Sequence, residues 1–176
     1  MRKPFRKLAE EYRDRVYTFV YYSLRNHEEA EDITQEVLVK LWRHIQKIDP
    51  DKTTPWVMRV AHNAVVDSVR RRRTRSAVVA EGVEFEVVES VVSAPGSDAE
   101  GAVRSRELRD ALERALAAME EPYRSVVVMR EIQDMTYREI EDALEMPLNT
   151  VKVYLHRGRR MLREALRGKV GHADIP

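Results

Sequence analysis

Apolar residues return at every fourth position from Leu8 through Tyr12, Val16 and Val20 to Leu24, with Phe19 widening the stripe, and predict an amphipathic helix. A second stripe, Ile33, Val37, Leu38, Leu41, Ile45 and Ile48, follows Asn26, a good N-cap with Glu29 at the third helical position. Asp49-Pro50-Asp51 closes it. Thr54 before Pro55 is a capping residue with proline at the first helical position, and opens a third helix through Val57, Val60, Ala61, Ala64, Val65 and Ser68. That helix runs into Arg70, Arg71, Arg72, Arg73 and Arg75, five like charges in six residues.

From Ser76 to Val103 the pattern changes. Six acidic residues occur with no Lys or Arg, around the turn-forming Ser93-Ala94-Pro95-Gly96-Ser97. Val83, Phe85 and Val87 alternate with glutamates, so a short strand is one option and an extended tether the other. Helical spacing resumes near Arg106, with Leu108, Ala111, Leu112, Ala115, Leu116 and Met119 on one face as far as Pro122. Pro122 then starts a helix through Tyr123, Val126, Val127, Arg130 and Ile132 that ends around Gln133-Asp134. Thr136 and Glu139 form a capping box, Ile140, Ala143 and Leu144 give the next stripe, and Pro147 ends it near Glu145. Asn149 is placed to cap a last helix with the inward face Val151, Leu155, Gly158, Leu162, Ala165 and Leu166. The expected fold is all-α, with two small helical domains joined by a flexible acidic linker. Residues 1–75 form a three-helix domain, 76–105 the linker, 106–170 a four-helix domain and 171–176 a tail.

Composition narrows the classes. A charged fraction of 35% in 176 residues suits helices with small cores. The formal charge is only +1, so affinity for a polyanion has to come from segregated patches rather than an overall field. The absence of cysteine removes disulfides, thiolate chemistry and cysteine-rich zinc modules. Five histidines form no metal-spaced pair, and neither a glycine-rich phosphate loop nor a nucleophile motif is present, so no enzyme, cofactor, metal or small-molecule substrate is expected. No apolar run approaches the roughly 20 residues of a membrane span, and the start of the chain lacks the apolar core of a secretion signal, so a soluble cytoplasmic protein is expected.

The last two helices carry the sharpest chemistry. A helix, a short turn and a basic helix form the pattern of a helix-turn-helix that reads the major groove. Asn149 and Thr150 lie at a helix N-terminus suited to a phosphate, Lys152, Val153, His156 and Arg157 are placed for base edges, and Arg160 is placed for the backbone. On charge alone, a helical hairpin with a solvated basic face remains open. In the first half, the arginine run asks for phosphate, or else simply complements a helix C-terminus. Asp32, Gln35 and Glu36 share one helical side, which by itself is an ordinary solvated face.

The run Met146-Pro147-Leu148-Asn149-Thr150-Val151-Lys152, continued by Leu155-His156-Arg157-Gly158-Arg159, resembles the promoter-reading end of bacterial sigma factors of the extracytoplasmic-function family. The family more often has glycine at the place of Asn149 and Ser-Arg at that of Val153-Tyr154, so promoter sequence does not carry over. Glu29-Ala30-Glu31-Asp32-Ile33-Thr34-Gln35-Glu36-Val37, then Leu41-Trp42, is similar to the family's segment for gripping core RNA polymerase. Trp56 through Asn63, with Asp67 and the arginines, looks like its promoter-melting segment. The resemblance implies an alternative sigma factor that directs promoter-specific initiation, with core RNA polymerase, promoter DNA and an anti-sigma protein as partners. It puts Asp32, Gln35, Glu36 and Trp42 against polymerase, with Leu41 and Trp42 otherwise readable as ordinary core. At the minus-ten element, Trp56 offers a stacking face, Asn63 both a donor and an acceptor, Arg59, Arg70 and Arg71 charge for phosphates, and His62 either kind of contact. The C-terminal set falls at the minus-thirty-five element. A stand-alone helix-turn-helix regulator that binds a palindromic operator as a dimer is the competing reading.

Overall fold

A computed structural model describes residues 4–78 and 99–167, with side chains placed over 4–75 and 105–167. Helix α1, Phe5–Leu24, buries Leu8, Tyr12, Val16, Phe19, Val20 and Leu24, the stripe the spacing predicts. It ends where Arg25 turns left-handed, at φ 50°, and returns its N–H to the Tyr21 carbonyl. Asn26 then accepts the Glu29 N–H at 2.9 Å and opens α2, His27–His44. This helix is shorter than its stripe suggests. A turn in which Lys47 and Ile48 bond the His44 carbonyl replaces its last residues, yet Ile48 still reaches the core.

A 3₁₀ turn, Pro50–Lys52, capped by Asp49, delivers the chain into α3, Thr53–Val78. Because that turn feeds the helix directly, Thr54 is not its cap. Its hydroxyl instead lies 2.7 Å from that of Tyr12 and ties α3 to α1. The arginine run stays helical throughout, and two of its members find carboxylates. Arg72 bonds Glu29 at 2.6 Å and Arg70 approaches Asp67 at 3.4 Å. Val16, Phe19, Val37, Leu41, Val57 and Met58 form the sealed centre of this three-helix half.

The second half starts earlier than its apolar spacing indicates, with α4 spanning Ala99–Ala118. The linker expected at 76–105, the possible strand at 83–87 and the tail at 171–176 fall wholly or largely outside the described residues. Helix α5, Tyr123–Val127, continues into a π-helical turn, Val128–Ile132, where an ordinary helix was expected. Ser125, Val126, Val127, Val128 and Met129 are all buried in succession, so this segment is covered on every side and is the axis of the half. The wider turn leads to Asp134 at φ 53°, a left-handed conformation that Asp tolerates better than most residues.

Helix α6, Tyr137–Leu144, has the full capping box, with Thr136 N–H on Glu139 Oε2 at 2.7 Å and Glu139 N–H on Thr136 Oγ1 at 3.2 Å. It stops at left-handed Glu145. Helix α7, Leu148–Leu166, begins one residue before the expected cap, with Pro147 in the N-cap place and Asn149 inside the first turn. Pro147 has no amide to satisfy, and its carbonyl takes the Thr150 and Val151 N–H groups. Gly158 permits the crossing of α7 over α5. A β-carbon there would overlap Val127 Cγ2 and lie 3.6 Å from the Tyr123 carbonyl oxygen.

The halves meet through α3 on α6 and α1 on α4. The bonds across this seam are polar. Arg15 donates to the Gln133 side chain at 3.2 Å and to its carbonyl at 2.9 Å, Lys52 faces Asp142 at 3.4 Å, and the Tyr21 hydroxyl donates to Glu113 at 3.2 Å. A cavity of about 540 Å³ remains in the seam, bordered by Arg25, Arg72, Arg73 and Arg124.

Candidate nucleic-acid and polymerase interfaces

On α2 the inward stripe fixes what points out. Leu41 is sealed in the core, whereas Trp42 next to it is 61% exposed, so the two residues that the sequence left ambiguous separate. Asp32, Gln35 and Glu36 are also exposed on this helix, with Glu36 held by Lys40 at 2.6 Å. Val39, four residues after Gln35 and three before Trp42, is exposed as well and joins them in an acidic and apolar patch. Sequence reasoning missed it, although an apolar residue outside the inward stripe was the available signal.

Helix α3 presents Asn63, Arg70 and Arg71 to solvent. Asn63 and Arg71 border a groove of about 190 Å³ that is closed on the α2 side by Glu36 and Lys40. Trp56 is half-buried, its ring 5.7 Å from that of His44. The remaining two residues assigned to this surface turn elsewhere. Arg59 pairs with Glu145 at 2.9 Å and donates to the Asp142 carbonyl, while its Nε is buried without a partner. His62 Nδ1 lies 3.1 Å from Ser125 Oγ, and the imidazole is tilted against Phe19. Burial pushes the His62 pKa below its ordinary value, and the Glu121 carboxylate opposes that shift.

On α7 the exposed side chains include Asn149, Lys152, Val153, His156, Arg157, Arg160 and Arg163. They lie opposite Val151, Leu155 and Gly158, which pack against the rest of the half. Arg159 is engaged with Glu131 at 2.8 and 3.0 Å, and Arg157 only grazes the Tyr123 hydroxyl at 3.5 Å. At the helix start, the Glu141 carboxylate already takes the Leu148 N–H at 3.1 Å, and Thr150 returns its own N–H to Pro147 at 2.8 Å. A phosphate cradle made of successive free amides is therefore narrower than expected, and the Asn149 and Thr150 side chains remain as donors.

Three helices with outward faces of this kind, in this order, have counterparts among known proteins. Residues 8–75 match the family described as Sigma-70 region 2, and residues 109–162 match Sigma-70, region 4. The chain is 34% identical over 166 residues to the ECF RNA polymerase sigma factor SigW of Bacillus subtilis, covering 93% of this chain and 89% of that protein. It belongs to the extracytoplasmic-function sigma factors. To SigE of Mycolicibacterium smegmatis it is 32% identical, across 91% of this chain and 60% of that one. Among solved structures, the sigma factor RpoE of Bartonella quintana, in complex with the anti-sigma factor NepR, superposes with a TM-score of 0.74 at 16% identity, over 93% of this chain and 97% of that one. CnrH, in complex with the cytosolic domain of CnrY, gives 0.64 at 18% identity, over 92% and 86%.

In this sigma factor the region 2 match runs from α1 through most of α3, and the region 4 match from α4 through most of α7. Among the described residues there is no strand, no group of side chains able to hold a metal ion, and no helix long and apolar enough to cross a membrane.

Proposed function

We propose that this sigma factor docks on core RNA polymerase through the α2 patch, captures the minus-ten element with α3 and reads the minus-thirty-five element with α7. The observation that carries this reading is the presence of both sigma regions in order on one chain, each with an outward polar or basic helix face. Duplex DNA hides its base edges, so a protein that opens it must hold an unstacked base by its face and its edge. The groove beside Asn63 has room and amide chemistry for an edge, and Trp56 supplies an aromatic plane. Arg70 and Arg71 border that helix with charge for phosphates. The role is positional rather than catalytic and is carried out in the cytoplasm.

The arrangement of the halves adds regulation. Arg59 and His62 face the second half, where Glu145, the Asp142 carbonyl and Ser125 occupy them. DNA cannot use these side chains until the halves part, so the free chain binds promoters weakly and polymerase selects the open form. One of the two solved neighbours is seen with an anti-sigma factor, which supports an anti-sigma protein as a partner here.

Run-off transcription tests the whole proposal. Core polymerase with this chain should start at a defined promoter and lose activity when the minus-thirty-five hexamer is scrambled. A chain that fails to bind core enzyme, yet shifts a palindromic operator alone, would overturn it.

A further inference from the structure

The geometry points to Val153 as a specificity-determining residue that reads the 5-methyl group of a thymine in the minus-thirty-five element. The inference rests on α7 being the base-reading helix and extends that reading to one atom of one base. Val153 stands on the face opposite the buried Val151, Leu155 and Gly158, and is 46% exposed. Its neighbours on that face, Asn149 four residues before, His156 three after and Arg157 four after, are all exposed hydrogen-bonding groups. An isolated β-branched side chain in this place does nothing for the fold. It packs on no core, and valine is a poorer helix former than the lysine or arginine around it.

Position adds to the argument. Val153 lies in the second turn of α7, and the N-terminal turns of such a helix enter the major groove most deeply. In that groove the base edges offer hydrogen-bond donors and acceptors and a single apolar group, the thymine methyl. A polar ring around one branched aliphatic side chain therefore suits a step in which a thymine is flanked by bases read through hydrogen bonds. Cytosine at the same position carries only a hydrogen at C5 and would lose this apolar contact.

The test removes the methyl and nothing else. Holoenzyme formed with this chain is titrated against a minus-thirty-five duplex in which each thymine in turn, on either strand, is replaced by deoxyuridine. At one position the affinity should fall roughly fourfold, the worth of about one buried methyl group. With Val153→Ala the thymine and deoxyuridine duplexes should bind equally at that position, and Val153→Ile should keep the discrimination. Indifference of the wild-type holoenzyme to every thymine replacement would overturn the proposal, as would discrimination that survives in Val153→Ala. If the holoenzyme ignored a fully scrambled minus-thirty-five element, α7 would not be the base reader. That failure is distinct and visible before any uracil is introduced.

Discussion

Single side chains decide two separate questions in the second half. Arg157 and Arg160 are both exposed on α7, but Arg157 belongs to the same two turns as Val153 and His156, whereas Arg160 lies a turn further on, 3.8 Å from Glu164. Arg157→Ala should weaken minus-thirty-five binding by about 1–3 kcal/mol and relax base preference, while Arg160→Ala should weaken every sequence alike and lower the salt dependence. Titrations on consensus and scrambled duplexes at two salt concentrations separate these outcomes, and a uniform loss for both variants would refute the division. Gly158 is a packing question. Val127 is β-branched and cannot easily turn its methyl aside, so Gly158→Ala should overpack the α5–α7 crossing by about 1–3 kcal/mol, more than the ~1 kcal/mol that alanine gains as a helix former. Thermal unfolding should show a lower Tm for Gly158→Ala, and a smaller loss when the same change is made in a Val127→Ala background.

At the scale of elements, most of the fold was legible because each helix carries a stripe and a stop. The α1 stripe, the Asn26 cap and the Thr136–Glu139 box are local signals, and they appear in the structure as the residues imply. What misled was equally local chemistry with a nearer competitor. Thr54 reads as a cap until the 3₁₀ turn at Pro50–Lys52 supplies the helix start, and Asn149 reads as one until Pro147 provides the acceptor carbonyl. The π-helical turn has no periodic signature, since a segment buried on all sides shows only a continuous apolar run. For the α2 face, exposure rather than pattern separates Trp42 from Leu41 and adds Val39. Trp42→Ala should therefore leave folding stability within about 0.5 kcal/mol of wild type, because the ring packs on little. It should also cost polymerase affinity on the order of 2 kcal/mol, as the loss of a buried aromatic anchor does. Calorimetric unfolding beside a core-enzyme binding titration checks both halves of that statement, and a large drop in Tm would return Trp42 to a structural role.

The sequence could not show how the whole molecule closes, because the contacts joining its halves come from residues 63 to 118 positions apart that have no common pattern. Arg59 and His62, both expected at the minus-ten element, and Arg15 bond across the seam. That seam combines polar bonds with apolar contacts of one shared hydrophobic cluster, and an open pocket beside it is lined by four arginines together with Leu24, Val69 and Ala117. His62 makes closure depend on pH. Its closed-state pKa lies below the ordinary 6.5 because burial disfavours the cation, with Glu121 offsetting part of the effect. The proton therefore binds more tightly when the halves separate and His62 reaches water. Well above 6.5 the imidazole is neutral in both states and closure is unpenalised. As pH falls below 6.5 towards the depressed value, the open form gains at most about 1.4 kcal/mol per pH unit, a slope of one proton. Fluorescence transfer between dyes placed one on each half should thus report a growing open fraction between pH 7.5 and 5.5, and promoter binding by the free chain should rise in parallel. His62→Gln keeps a hydrogen-bonding group near Ser125 but cannot take up the proton, so it should flatten the profile. A pH response that persists unchanged in that variant would assign the switch to other groups in the seam.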